Sequence, residues 1–193
     1  YNNQTDVGGM LFQDVYHHLF RLLFRPSPPV AQLVESAMTR MGLVPGEYAA
    51  THIRALYGRE KRKEEETRQI TINGVNCASQ LRPGGPVYVA ADTQYAIQVV
   101  QEYATQQNLP IAYYTSDVEE RLHIDKAENW TLRSPSDYYA TFVDLYLLGQ
   151  SRCMAYTNGG FGTFGLVLGY NSSCSVRHFK RKIIHECPEW VYK

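Results

Sequence analysis

The chain carries no excess of charge of either sign. Its 19 Lys and Arg balance 19 Asp and Glu, so the formal net charge is zero. Without a basic surplus there is no electrostatic footprint for broad binding to nucleic acid or to an anionic membrane surface. Long apolar runs are also missing. The amphipathic stretch Met10–Arg25 (MLFQDVYHHLFRLLFR) is too short and too charged to span a bilayer. Any membrane attachment would therefore come through parts of a protein outside this chain. The four cysteines, Cys77, Cys153, Cys174 and Cys187, form neither a CxxC pair nor a Cys/His zinc spacing, so no metal site is expected. The loop Asn158-Gly159-Gly160-Phe161-Gly162 lacks the Lys-Ser/Thr that a Walker A phosphate loop requires, and no GxGxxG opens a first βα unit. The chain starts at Tyr1 with no methionine and is read as a piece of a longer protein, so a missing leader carries no information.

What is present is a globular composition of 193 residues, 20% charged and 44% hydrophobic, enough for one domain with a sizeable core or one and a half. Cys77 and Cys153 stand among apolar neighbours and read as free buried thiols. Cys174 and Cys187 flank a basic segment and could pair. Sequons at Asn3, Asn129 and Asn171 exceed the roughly one expected by chance and favour the secretory lumen, Golgi or ER; if used, Asn129 and Asn171 are exposed.

Along the chain, Met10–Arg25 has helical apolar spacing at Leu11, Val15, Leu19, Leu22 and Leu23. Pro26 ends it. Ser27 and Pro28 start a second helix, striped by Val30, Leu33, Val34, Ala37 and Met41 and closed by Gly42 and Pro45. Residues 1–47 are thus expected to form a helical segment packed on a domain spanning residues 48–193. Tyr48–Leu56 (YAATHIRAL) reads as a buried strand with His52 and Arg54 on one face. Gly58–Gln69 is dense in both charge signs and reads as a solvated loop or helix start, and Ile70–Leu81 as a short helix.

Val87–Ala91 is a second buried strand, followed by Asp92, placed to cap a helix over Thr93–Gln107. Ile111–Tyr114 is a third strand. Ser134-Pro135-Ser136-Asp137 matches a capping box before a helix over Tyr138–Gln150. Arg152–Tyr156 is a fourth strand, Thr163–Gly169 a short helix, and Cys174–Phe179 a last strand. Strands alternating with helices imply βαβ units: a Rossmann-like parallel sheet covered on both faces.

Ligands of such sheets bind beyond the carboxyl ends of the strands. Arg54, Asp92, Ser116-Asp117 and the Asn158–Gly162 loop all fall there. A glycine loop leading into a helix can point backbone N–H groups at an anion, and with Arg54 opposite it becomes a two-sided clamp for a diphosphate. If so, Arg54 lies within ~15 Å of the Gly159–Gly162 backbone, because direct phosphate contacts need hydrogen-bond range. Arg54 could otherwise pair with a carboxylate such as Glu60. Asp144 interrupts the apolar run Phe142–Leu148 and must find donors. Two readings stay open for it, a structural pair with Arg152 or a hydroxyl, and recognition of the adjacent N1–H and amine donors of guanine.

Three ordered features, His52-x-Arg54 on a strand, Val87–Asp92 (VYVAAD), and Asp144-Leu-Tyr-Leu-Leu followed by a strand and the loop Thr157–Gly162, resemble the three motifs of the fucosyltransferase superfamily. That group holds α1,6-, nodulation and protein O-fucosyltransferases, and the likeness spans about Tyr48–Gly169. It implies the C-terminal, donor-binding half of a GT-B glycosyltransferase. Its donor would be GDP-fucose, its acceptor a glycan or protein hydroxyl, its reaction inverting, and no metal cofactor would be required. By that likeness Arg54 holds the β-phosphate of the leaving GDP, and Asp92 is an acidic residue beside the pocket. His52 contacts guanine largely through its backbone, Asp144 takes the guanine donors, and Gly159, Gly160 and Phe161 lie against the diphosphate. Ala55 stands where some members carry a second arginine, with Arg59 or Lys61 as possible substitutes. Asp92, Asp117 and Glu119 are the candidate general bases.

Overall fold

The computed structural model describes residues 12–56, 64–114, 132–168, 174–180 and 183–187. The three sequons, Glu60, Arg59, Lys61, Ser116, Asp117 and Glu119 lie outside them. The elements run α1 (Phe12–Leu23), α2 (Pro28–Met41), β1 (Ala49–Ile53), α3 (Glu64–Leu81), β2 (Val87–Ala91), α4 (Gln94–Gln107), β3 (Ile111–Tyr113), a 3₁₀ turn (Pro135–Tyr138), α5 (Tyr139–Gly149), β4 (Cys153–Tyr156), α6 (Gly160–Leu168), β5 (Val176–Arg177), β6 (Phe179–Lys180) and β7 (Ile183–Ile184). Strands β1 to β5 form one parallel sheet in the order β3-β2-β1-β4-β5, and β6 and β7 make a small antiparallel pair. This is the Rossmann-like α/β architecture that the alternation of strands and helices implies.

Every residue of β1 and β2 is buried. That is why these strands read as continuous runs of small and apolar residues: a parallel sheet is covered on both faces. The side-chain period of two divides them between two cores. Tyr48, Ala50, Tyr88, Ala90 and Met154 face one core with Val30, Val34 and Met38 of α2 and Val143, Leu147 and Leu148 of α5. Ala49, Ile53, Val87, Val89 and Ala155 face the other, with Ile70, Val75, Cys77 and Ala78 of α3 and Ala96 and Val100 of α4. Each large apolar side chain buried this way contributes about 1.5–3 kcal/mol.

Several boundaries differ from the sequence reading, for identifiable reasons. The charged stretch before Ile70 is helical from Glu64, so α3 spans 18 residues. Glu64, Glu65 and Glu66 fill its first turn, where acidic side chains favour the positive end of the helix. Thr93, not Asp92, caps α4, its hydroxyl accepting from the Ala96 N–H at 3.3 Å. Asp92 instead extends the sheet ladder, its N–H donating to the Ile53 carbonyl at 3.3 Å, which turns its carboxylate toward the loop after β1. The Ser134 hydroxyl accepts from the Ser136 N–H and opens a 3₁₀ turn rather than α5 itself. The helix after the glycine loop begins at Gly160, so Gly160 and Phe161 belong to its first turn.

The cysteine reading is overturned. Cys77 is bonded to Cys187 and Cys153 to Cys174, each with Cα atoms 5.4 Å apart. The apolar context of Cys77 and Cys153 signals burial, not redox state. Cys174 returns to β4 because β5 pairs in parallel beside it, Ala155 opposite Val176. Cys187 returns to α3 at the far end of the β6–β7 pair. Two disulfides mark a protein that folds in an oxidising, secreted-type environment. Among the described residues, no helix is long and apolar enough to cross a membrane.

Candidate functional site

Strand β1 lies at the centre of the sheet, with β2 on one side and β4 on the other. The chain leaves β1 toward β2 and β3, then comes back across to β4. The strand order therefore reverses between β1 and β4, and a crevice opens at that point beyond their carboxyl ends. Two short segments border it: Arg54–Leu56 after β1, and Thr157–Gly159 after β4.

These segments are tied together. The Thr157 N–H donates to the His52 carbonyl at 3.2 Å, and the Arg54 N–H donates to Thr157 Oγ1 at 2.9 Å. Thr157 is fully buried, so its hydroxyl fixes the point where β1 ends beside β4. Gly159 has φ +108°, a region favoured by glycine. A Cβ on Gly159 would sit 3.7 Å from Arg54 Cδ and 3.8 Å from Arg54 Nε. Arg54 therefore lies directly along the glycine loop, far inside the ~15 Å limit set for a clamp by hydrogen-bond range.

Asp92 completes this corner. Its Oδ1 accepts the Ala55 N–H at 2.7 Å, and both carboxylate oxygens lie within reach of the Leu56 N–H, at 3.2 and 3.1 Å. Its Oδ2 is 3.8 Å from Arg54 Nε. So the carboxylate that accompanies Arg54 comes from β2's end, and it holds both the loop after β1 and the guanidinium it carries.

His52 is buried, 3% exposed, beneath the first turn of α6. Its ring centroid is 5.2 Å from that of Phe161, and a Cβ on Gly162 would come within 2.8 Å of its Nδ1. The backbone of His52 is engaged in the ladder between Ala90 and Tyr156. Its place is that of a support on which the glycine loop and α6 rest. Nothing lies within 4 Å of a Cβ on Gly160, so the helix start is open at that residue.

Asp144 is 4% exposed, in the middle of α5, and its Oδ1 accepts the Tyr88 hydroxyl at 2.6 Å. Tyr88 is in register with Ala50, which lies four residues before Arg54, ~13 Å along the strand. Of the two readings left open by the sequence, the structure supplies the hydroxyl partner.

Two residues at the crevice were not singled out from the sequence. Thr157 enters the sequence reading only as the first residue of the loop Thr157–Gly162, and its burial and its bond to the Arg54 N–H give it its role. Arg177 ends β5 opposite Tyr156, and its Nη2 donates to Asn158 Oδ1 at 2.7 Å. Burial holds the Tyr156 hydroxyl above its usual pKa, and the nearby Arg177 cation acts in the opposite sense. A two-residue edge strand gives too little pattern to place an arginine in advance. Among the described residues no three His, Cys, Asp or Glu side chains gather as metal ligands would. No protein-family model matches the chain, and neither does any curated protein.

Proposed function

We propose that the crevice between β1 and β4 binds the diphosphate of a nucleotide sugar, and that the chain is the donor-binding domain of an inverting, fucosyltransferase-like glycosyltransferase. The observation that carries this reading is the position of Arg54, stretched along Gly159 where the strand order reverses. A guanidinium there faces a loop whose glycine leaves room for a ligand to approach the backbone. The open start of α6 at Gly160 adds a favourable helix end for an anion.

In such a reaction the glycosidic C–O bond breaks as negative charge grows on the departing diphosphate. Arg54 would neutralise that charge, an effect whose loss typically costs on the order of 10²–10³ in rate. Asp92 would orient Arg54 and the Ala55-Leu56 backbone. The donor is proposed to be GDP-fucose, and the acceptor a glycan or protein hydroxyl bound with help from parts outside this chain. The site of action would be the Golgi or ER lumen, in keeping with the two disulfides.

A second reading, a donor domain for a different nucleotide sugar, is favoured by one observation. Asp144 is engaged by Tyr88 within the core, so the guanine preference assigned to it has no geometric support at the crevice. Calorimetric titration with GDP-fucose, GDP, UDP and pyrophosphate separates the two. The first expects tighter binding of GDP than UDP; the second expects no preference for GDP. Fucose transfer by the full-length protein tests the reaction itself, and its absence alongside tight diphosphate binding would leave a binding module.

A further inference from the structure

Arg177 lies on the far side of the glycine loop from Arg54. It ends β5, the strand beyond β4, and is the register partner of Tyr156. Partners in a parallel ladder project from the same face, and Tyr156 faces the core to which Phe161 of α6 also belongs. Arg177 therefore emerges on the side where α6 starts. Its Nη2 bond to Asn158 Oδ1, 2.7 Å, pins it to the residue immediately before Gly159. The segment Asn158–Gly159 is thus bordered by two guanidinium groups, one delivered by β1 and one by β5, with β4 between them.

The two arginines are held differently. Arg54 has the Asp92 carboxylate 3.8 Å away, which offsets part of its charge. Arg177 is held at the loop by a neutral amide, which fixes the guanidinium in place without neutralising it. Arg177 is exposed, as a residue meeting a diffusing ligand must be. An exposed arginine is usually just a solvated cation. This one is tethered to a glycine loop at the carboxyl edge of the sheet, with its fork free to take a second set of oxygens.

We infer that Arg177 is a second anion-binding residue of the crevice, and that together with Arg54 it selects ligands with two linked phosphate groups over ligands with one. This rests on the phosphate reading of the crevice and adds a residue and a selectivity to it. The test is calorimetric titration of wild type, Arg54→Ala, Arg177→Ala and Arg177→Lys with pyrophosphate and with inorganic phosphate, with thermal midpoints recorded alongside. Arg177→Ala is expected to lose about tenfold in pyrophosphate affinity, the lower end for a charge-assisted contact. Its affinity for inorganic phosphate and its thermal midpoint should stay close to wild type, and Arg177→Lys should recover part of the loss. If the alanine variant proves unstable, Arg177→Gln, which keeps most of the side-chain length, carries the same comparison. Wild-type pyrophosphate affinity in Arg177→Ala, with a loss in Arg54→Ala, overturns the inference and leaves the phosphate reading standing. Equal losses for both ligands with a lowered midpoint also overturn it, by making Arg177 a prop for the loop. No binding of either ligand by wild type removes the phosphate reading and the inference with it.

Discussion

Tyr88→Phe removes one hydroxyl from a fully buried ring and keeps the ring itself, so its effect falls on the contacts of that hydroxyl, the bond to Asp144 among them. The bond is 2.6 Å long and its acceptor residue is 4% exposed. A buried side-chain hydrogen bond contributes about 0.5–1.5 kcal/mol, and about 1.5–3 kcal/mol where the acceptor is charged. Loss of the hydroxyl is therefore expected to destabilise the fold by ~2 kcal/mol. For a chain of this size that corresponds to a fall of roughly 4–8 °C in the unfolding midpoint. Chemical denaturation of wild type, Tyr88→Phe, Asp144→Asn and the double variant measures it, and the cycle should show coupling between the two positions. The same account expects nucleotide selectivity to survive Asp144→Asn. A Tyr88→Phe variant as stable as wild type, together with an Asp144→Asn variant that no longer distinguishes GDP from UDP, would refute the reasoning and return Asp144 to the ligand.

Two further predictions concern the fold around the site. His178 is fully buried, and burial lowers its pKa to about 4. Its Nδ1 receives Asn73 Nδ2, which also donates to the His185 carbonyl, so the ring holds its proton on Nε2 and a second proton would meet a donor. Because the folded pKa lies below the unfolded value of 6.5, the stabilisation is complete above pH 6.5 and is lost as pH falls toward 4. The loss should reach about 3 kcal/mol, and urea unfolding across that range should show it in wild type and not in His178→Gln. Gly162→Ala would bring a methyl within 2.8 Å of the buried His52 ring, so it should destabilise by about 1–3 kcal/mol and weaken diphosphate binding by tilting α6; an unchanged melting curve would disprove the packing argument.

The parts of this fold legible in the sequence were those set by local chemistry. The buried strands announced themselves as short runs of small and β-branched residues. Val87–Ala91 matched to the residue, and Tyr48–Leu56 was overlong because the N–H groups of Arg54, Ala55 and Leu56 leave the ladder for the side chains of Thr157 and Asp92. Gly42 marked a helix end through its left-handed backbone. The charged stretch before Ile70 reads as loop or helix start alike, because a solvated first turn of three glutamates carries no apolar stripe, and the packing of Ile70 and Val75 decides it for helix. The disulfides were hidden because pairing depends on which strands are neighbours, which no spacing reports. At the site, Arg54 and the glycine loop could be placed together since both follow strands. Asp92's turn toward β1 and Asp144's bond to Tyr88 are contacts between distant segments, and only the folded register decides them.

The central claim is that Arg54 and the glycine loop form a diphosphate site. Calorimetric titration of GDP and pyrophosphate into wild type and Arg54→Ala addresses it most directly. The account predicts measurable binding by wild type. It predicts a loss of about 10- to 100-fold for both ligands in Arg54→Ala, as expected for a charge-assisted contact of about 1.5–3 kcal/mol, with the folded state retained. Equal affinity of the two proteins for both ligands, or no binding by wild type, would contradict it.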